Sequence, residues 1–375
     1  CRRIGALMKK VLTVLGARPQ VIKSAAITRV IRSDFSLELE EVVLNTGQHY
    51  DANMNAVFFE ELFLPPPKYN HAINFKKQFP INQMVEGVDE AIRIENPDLI
   101  LVYGDTNSTL AGAISAVKNN IPLVHVEAGL RSFNIKMPEE GNRILTDHSS
   151  RLLFSPTLQG VRNLKKEAIN SSYIFHCGDI MFDNSLFYFE KAKLASAVLK
   201  DNNLIAGNYI LFTCHRPGNT DSKENLLSIL KALKSISLES GKKIVFPVHP
   251  RTQKQIVKFF GESFLSSELC DFLLLPPVSF LDNILLISNA HLIVTDSGGI
   301  QKEAYFFKKK SLVLREETEW VEIIENNGAL LVGPNFKRII DGYSEIKHLI
   351  PSFSPIFGDG KAGHFICDKI VKELK

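Results

Sequence analysis

Three carboxylates and two guanidiniums crowd into one short stretch, VEAGLRSFNIKMPEEGNR, from Val126 to Arg143. The acids are Glu127, Glu139 and Glu140, the cations Arg131 and Arg143, and Pro138 precedes two of the acids. No metal-ligand spacing accompanies them. Neighbouring carboxylates raise one another's pKa, so one can hold a proton while another is ionised. A base that removes a weakly acidic C–H must be close, desolvated and tuned in this way. The pattern therefore suits proton transfer at carbon, with arginines at hand for a departing phosphate. Asp105, in YGDTNST, and His215, in TCHR, extend the set. Asp105, Glu127, Glu139 and His215 are the candidate catalytic residues. Taken singly, each has a structural explanation: Glu127–Arg131 and Glu139–Arg143 as i,i+4 helix pairs, and Asp105 as a strand-end cap. His125 and His148 read as structural, whereas His49 and His249 stay open.

A second constellation suits phosphate. TDSGGIQKEA, Thr295 to Ala304, follows an apolar run and opens a helix. Ser297, Gly298 and Gly299 would bring backbone N–H groups and a positive helix end to one point. The alternative is an ordinary junction capped by Asp296 or Ser297. Glu303, one turn on, can accept two ribose hydroxyls or stand as a solvated glutamate. Arg18 and Lys23, in GARPQVIK, can clamp a diphosphate or lie on the surface beside a helix start. Arg315 is a third cation of this kind. No GxGxxG follows a strand and no GxxxxGK[ST] occurs, so neither a dinucleotide cofactor nor a P-loop is indicated. A nucleotide would serve here as a substrate's handle.

Something must position these groups. KVLTVLG, EEVVLNTG, DLILVYG and IPLVHVE read as buried parallel strands ending at turns, with helical patterns between them. After Gly207 the alternation resumes with YILFTCHR, KIVFPVHP, DFLLLPPV, HLIVTDSGG and SLVLRE. The expected class is α/β, with two Rossmann-like doubly wound domains facing a cleft. The expected spans are 8–180 with the acids, 181–355 with the phosphate features, and a closing helix in 356–375. Nearly every polar cluster falls at a strand's carboxyl end, where open parallel sheets bind ligands.

The bulk numbers agree with such an enzyme. The chain has 375 residues, 45% hydrophobic and 23% charged, with net charge +3. That charge does not point to nucleic acid or an anionic membrane. The run Lys308, Lys309, Lys310 reads as a solvated helix end or turn. Five cysteines are scattered without a CxxC pair, which suggests a reducing cytoplasm and neither zinc nor disulfides. No apolar run reaches the ~18–20 residues that span a bilayer. Met8 reads as the true start, after an extension CRRIGAL.

At these residues the chain resembles the UDP-N-acetylglucosamine 2-epimerase family. The matching stretches are GARPQVIK, TGQHYD, YGDTNSTLAG, HVEAGLRSFN, MPEEGNRILTD, LLFSPT, PVHP, TDSGGIQKEA and LREETEWVE, in that order. The resemblance implies a fold like that of the B-type glycosyltransferases, a homodimer, and no metal or redox cofactor. It implies a UDP-sugar substrate, a place in making surface polysaccharide precursors, and no nucleic-acid or membrane partner. By similarity Asp105, Glu127, Glu139 and His215 match its catalytic positions. Arg18, Lys23, Ser297, Gly299, Glu303 and Arg315 match its substrate-binding positions, and His49, Arg143, Phe280 and Gly298 join that set. The implied reaction removes the sugar's C2 proton while UDP leaves C1, then reprotonates the other face and restores UDP. HRPGN departs from the family, which usually carries a glutamate beside this histidine. GARPQ, NSTLAGA, SFN and MPEE look closer to the branch acting on UDP-2,3-diacetamido-glucuronate. A hydrolysing epimerase, a glycosyltransferase and an inactive nucleotide-sugar sensor are the competing expectations.

Overall fold

The computed structural model describes residues 8–47, 59–71 and 81–374. His49 and the proposed extension before Met8 lie outside them. The chain divides into two compact units. The first runs through Asn184 and resumes at Pro355; the second is Ser185–Ser354.

The first unit is built on a parallel sheet. Its strands are β1 (Lys9–Leu15), β2 (Leu39–Asn45), β3 (Tyr69–Asn70), β4 (Leu99–Tyr103), β5 (Leu123–Val126), β6 (Leu152–Ser155) and β7 (Ile174–His176). The order is β3-β2-β1-β4-β5-β6-β7. The chain moves outward from β1 and then returns to the other side of it at β4, so the winding reverses between β1 and β4. Leu12, Val14, Ile100 and Val102 bury one sheet face under Val88, Ala91, Ala113 and Ala116 of the covering helices. Strands covered on both faces carry near-continuous apolar runs, which is why KVLTVL and LILVY are legible without alternation. β3, β6 and β7, of two to four residues, are additional to the strands read from sequence.

The second unit repeats the plan. Its strands are β8 (Tyr209–Thr213), β9 (Lys243–Pro247), β10 (Phe272–Leu275), β11 (Leu292–Thr295), β12 (Ser311–Val313) and β13 (Ala329–Leu331). The order is β10-β9-β8-β11-β12-β13, again with a reversal beside the first strand. Ile210, Phe212, Ile244 and Phe246 pack with Ile229, Leu230 and Leu233 and with Ile339, Tyr343 and Ile346. Both sheets are doubly wound and Rossmann-like.

The helix Ile180–Ala195 begins in the first unit and ends in the second. Just before it, Gly178 has φ +82°, and a Cβ there would lie 2.7 Å from the Phe357 carbonyl oxygen, so glycine is required. The closing helix Ala362–Glu373 packs on Arg18–Asp34. Its first N–H groups, at Ala362 and Gly363, donate to the Asp183 carboxylate at 3.1 and 2.8 Å. The basic run is structural at its third member: Lys310 Nζ donates to the carbonyls of Ile346, Lys347 and Leu349, at the end of the helix Phe336–His348.

Candidate functional site

In the first unit three strand ends converge near the reversal. Gly16 follows β1, and a Cβ there would stand 1.9 Å from Ser108 Oγ. Gln20, almost fully buried, accepts from the N–H groups of Gly16 and Ala17 and donates to the Tyr103 carbonyl at 2.8 Å. That one side chain joins the turn after β1 to the end of β4. Its type and its place after Arg18 and Pro19 were the available signal, and sequence reasoning passed over it.

Glu127 follows β5 with φ +75°. A non-glycine residue holds a left-handed backbone only where its surroundings over-determine it. Its Oε2 contacts Lys23 Nζ, from the helix Arg18–Asp34. Gly104, also left-handed, leaves room: a Cβ there would be 3.3 Å from both charged atoms. Lys23, read as a phosphate cation, thus lies on Glu127, while Arg18 is the first residue of the same helix.

Asp105 is held from the helix Pro138–Ser149. Arg143 Nη2 lies 2.5 Å from Asp105 Oδ2, and Asn142 donates to the Asp105 carbonyl at 2.9 Å. Arg143 Nη1 also meets Glu140 at 2.9 Å. Glu140 is buried and accepts further bonds from Ser132 N, Ser132 Oγ and Phe133 N. Burial alone would raise its pKa, but these donors and Arg143 hold it below the usual carboxylate range. Glu139 is exposed in the first turn, and no described residue pairs with its carboxylate. Neither i,i+4 pair forms. Arg131 is buried on Asp147 and Glu167 instead, so it is not available for a phosphate. Glu140 is the site residue that MPEE concealed: the two glutamates are adjacent, and only the helix's facing separates the buried one from the exposed one.

In the second unit His215 follows β8 and Asp296 follows β11. Asp296 is fully buried. It accepts from the N–H groups of His215 and Arg216 at 3.0 and 2.9 Å, and from Asn219 at 3.1 Å. His215 Nδ1 stands 3.1 Å from its other oxygen. Burial opposes ionisation of Asp296, but His215 and the backbone donors hold its pKa low. The cap of the helix Gly298–Phe306 is Ser297, whose side chain accepts from Ile300 N. A Cβ on Gly298 would meet Glu319, Trp320 and Arg315 at 3.7–3.8 Å, and one on Gly299 would lie 3.9 Å from Ser297 Oγ, ordinary contacts that bring the Arg315–Glu319 pair up to this helix start. Arg315 Nη1 lies 3.8 Å from that Gly298 position and is gripped by Glu319 at 2.8 and 3.2 Å. Glu303 is buried and accepts from Asn283 at 3.4 Å. Phe280 opens the helix Phe280–Asn289 and packs edge-on to Tyr188, ring centroids 5.5 Å apart. His249 caps Pro250–Phe260, 5.7 Å from the His215 ring. Burial, then His215 and Arg251, push its pKa down.

The first unit therefore groups Lys23 with Glu127 and Arg143 with Asp105. The second groups His215 with Asp296, and Arg315 with the helix start at Gly298. No helix among the described residues is long and apolar enough to cross a membrane.

Comparisons with known proteins agree on one family. Residues 33–371 match the family described as UDP-N-acetylglucosamine 2-epimerase. A UDP-N-acetylglucosamine 2-epimerase homolog of Methanococcus maripaludis is 46% identical, covering 98% of this chain and 99% of that protein. The UDP-2,3-diacetamido-2,3-dideoxy-D-glucuronate 2-epimerase of Pseudomonas aeruginosa is 39% identical, covering 97% and 99%. Among solved structures, UDP-GlcNAc 2-epimerase of Methanocaldococcus jannaschii, in complex with UDP-GlcNAc and UDP, matches with TM-score 0.86 and 37% identity, covering 97% of this chain and 99% of that one.

Proposed function

Because this chain belongs to the UDP-N-acetylglucosamine 2-epimerase family, we propose that it interconverts UDP-N-acetylglucosamine and UDP-N-acetylmannosamine. A carboxylate takes the C2 proton as the C1–O bond to UDP breaks, leaving 2-acetamidoglucal and UDP. A proton returns to C2 on the opposite face and UDP adds back at C1, so no redox equivalent is consumed.

The observation that carries this reading is Glu127. It is a strained carboxylate at a strand's end with a lysine on it. Strain of this kind clusters where function over-determines the backbone. Lys23 contacts Glu127 and would lie within the charged group that a leaving phosphate joins. Asp105, fixed by Arg143, and the exposed Glu139 are the other proposed proton handlers, with His215 on the second unit. The proposed UDP contacts are Arg18, Ser297, Gly298, Gly299, Glu303, Arg315 and Phe280. Backbone donors at the helix start would stabilise the departing diphosphate.

A second reading keeps the mechanism and changes the sugar to UDP-2,3-diacetamido-2,3-dideoxyglucuronate. The Pseudomonas aeruginosa relative favours it. So does Pro217–Gly218, which opens a helix directly after Arg216 where the family usually carries a glutamate. A cytoplasmic homodimer completes the proposal, and light scattering on the purified protein checks the dimer.

The test is a proton spectrum in D₂O with UDP-N-acetylglucosamine. Loss of the C2 proton signal with growth of the manno epimer supports the main reading. Exchange only with the diacetamido-glucuronate sugar selects the second. Free N-acetylmannosamine would mean hydrolysis, and silence with both sugars would remove epimerisation.

A further inference from the structure

His125 lies on β5 with its side chain fully buried. Its Nδ1 is 2.7 Å from Asp147 Oδ1, and its Nε2 is 2.7 Å from the Gly104 carbonyl oxygen. A carbonyl oxygen can only accept, and so can an ionised carboxylate. Both ring nitrogens must then donate, which an imidazolium alone can do. Asp147 does not supply the missing proton. Its second oxygen already accepts from Gly129 N at 3.1 Å and lies 2.7 Å from Arg131 Nη1. Burial opposes its ionisation, but the Arg131 guanidinium favours the ionised form whatever the state of His125. Charge also closes on this assignment. Arg131 forks onto Glu167 at 2.6 and 2.7 Å, and Glu167 in turn meets the exposed His148 at 3.1 Å. His125 and Arg131 thus face Asp147 and Glu167, two cations and two carboxylates.

The contacts of this group are selective. His125 stands two residues before Glu127, and Gly129, bound by Asp147, stands two residues after it. Gly104, bound by His125, immediately precedes Asp105. Asp147 itself comes from the helix Pro138–Ser149, which also carries Arg143 and Glu139. Apolar packing could stabilise such a core as well as ions do, so a buried ionic group calls for another reason.

We propose that His125 and Asp147 are positioning residues, a buried imidazolium–carboxylate couple that fixes the backbone on both sides of Glu127 and ahead of Asp105. The couple locks the helix Pro138–Ser149 to the ends of β4 and β5, so the proton-handling carboxylates keep one mutual geometry. This role rests on the epimerase reading given above.

Two experiments on the full-length protein test it. In ¹⁵N-histidine-labelled wild type, the His125 resonances are identified by their loss in His125→Gln. Both ring nitrogens are expected at protonated shifts, as two donors require; one nitrogen at an unprotonated shift overturns the couple. That measurement needs no active variant. In kinetics, His125→Gln and Asp147→Asn are expected to lower kcat by ~10²-fold with KM changed less than about threefold, as misplacement of reacting groups does. Asp147→Glu, which keeps the charge, should recover part of kcat. Wild-type kcat in a folded Asp147→Asn that still binds UDP would reduce the couple to a stability element and end the proposal. If the wild type epimerises neither sugar, the family reading fails separately, while the nitrogen shifts still decide whether the couple exists.

Discussion

The two units share a strand order around the reversal, 3-2-1-4-5-6, yet furnish its strand ends differently. At the ends of β1, β4 and β5 the first unit sets carboxylates against cations brought by helices: Glu127 on Lys23, Asp105 on Arg143. At the ends of β8 and β11 the second unit spends its buried carboxylate on the backbone. Asp296 gathers the N–H groups of His215 and Arg216, and the next helix start is left to glycines and a restrained arginine. Side-chain ions at fixed mutual positions suit proton transfer. Oriented N–H groups and a held guanidinium suit an anion. The lesson is that winding decides where a site forms, and the residues at the strand ends decide what it handles.

The sharpest way to break this comparison is Glu127→Gln. It should cut epimerisation by ~10³-fold, about 4 kcal/mol of barrier, while calorimetry shows UDP affinity nearly unchanged. Loss of UDP binding in step with turnover would erase the division between the units.

Next in size is a pH effect. The buried Asp296 and the partly buried Glu319 have depressed pKa values. Their stabilisation is present above the unfolded pKa and is lost as pH falls through the folded one. Asp183 has the opposite sign: burial, aided by Asp179, pushes it up to about 6, against about 3.9 unfolded. Its contribution is full below the unfolded value and is lost as pH rises through about 6, a cost on the order of 3 kcal/mol. Asp183→Asn cannot ionise, so its Tm relative to wild type should rise between about pH 4 and about pH 6 and level off above that. A flat or falling difference in paired thermal melts contradicts the assignment.

The smallest expected effect tests the second unit. Asp296→Asn leaves one acceptor where four donors converge. Turnover should fall about tenfold, ~1.4 kcal/mol, with weaker UDP binding than wild type and stability lower by about 1–3 kcal/mol. Unchanged UDP affinity would mean that the His215 turn does not depend on its buried carboxylate.

Much of this was legible before any coordinates. KVLTVLG, DLILVYG, IPLVHVE, YILFTCHR and HLIVTDSGG mark β1, β4, β5, β8 and β11 because apolar runs ending in glycine or polar turns are local signals. Ser297 as a cap and Pro138 as a helix start were equally local. The partners were not. Lys23 and Glu127 are 104 residues apart, and His215 and Asp296 are 81 apart, so no period connects them. The Glu127–Arg131 and Glu139–Arg143 pairs looked sound by spacing and do not form. Arg131 faces the buried Asp147 and Arg143 faces Asp105 across the helix–strand junction.

The sequence by itself determined two doubly wound α/β units, the placement of ionisable residues at their strand ends, and the family they resemble. Only the tertiary structure decided which charge meets which. It buried Glu140 and exposed Glu139, gave His125 two acceptors, and turned Lys23 onto Glu127. The physical reason is range. Hydrophobic period and turn chemistry act within a few residues, whereas an ion pair forms only after the sheet order has set which helix lies against which strand.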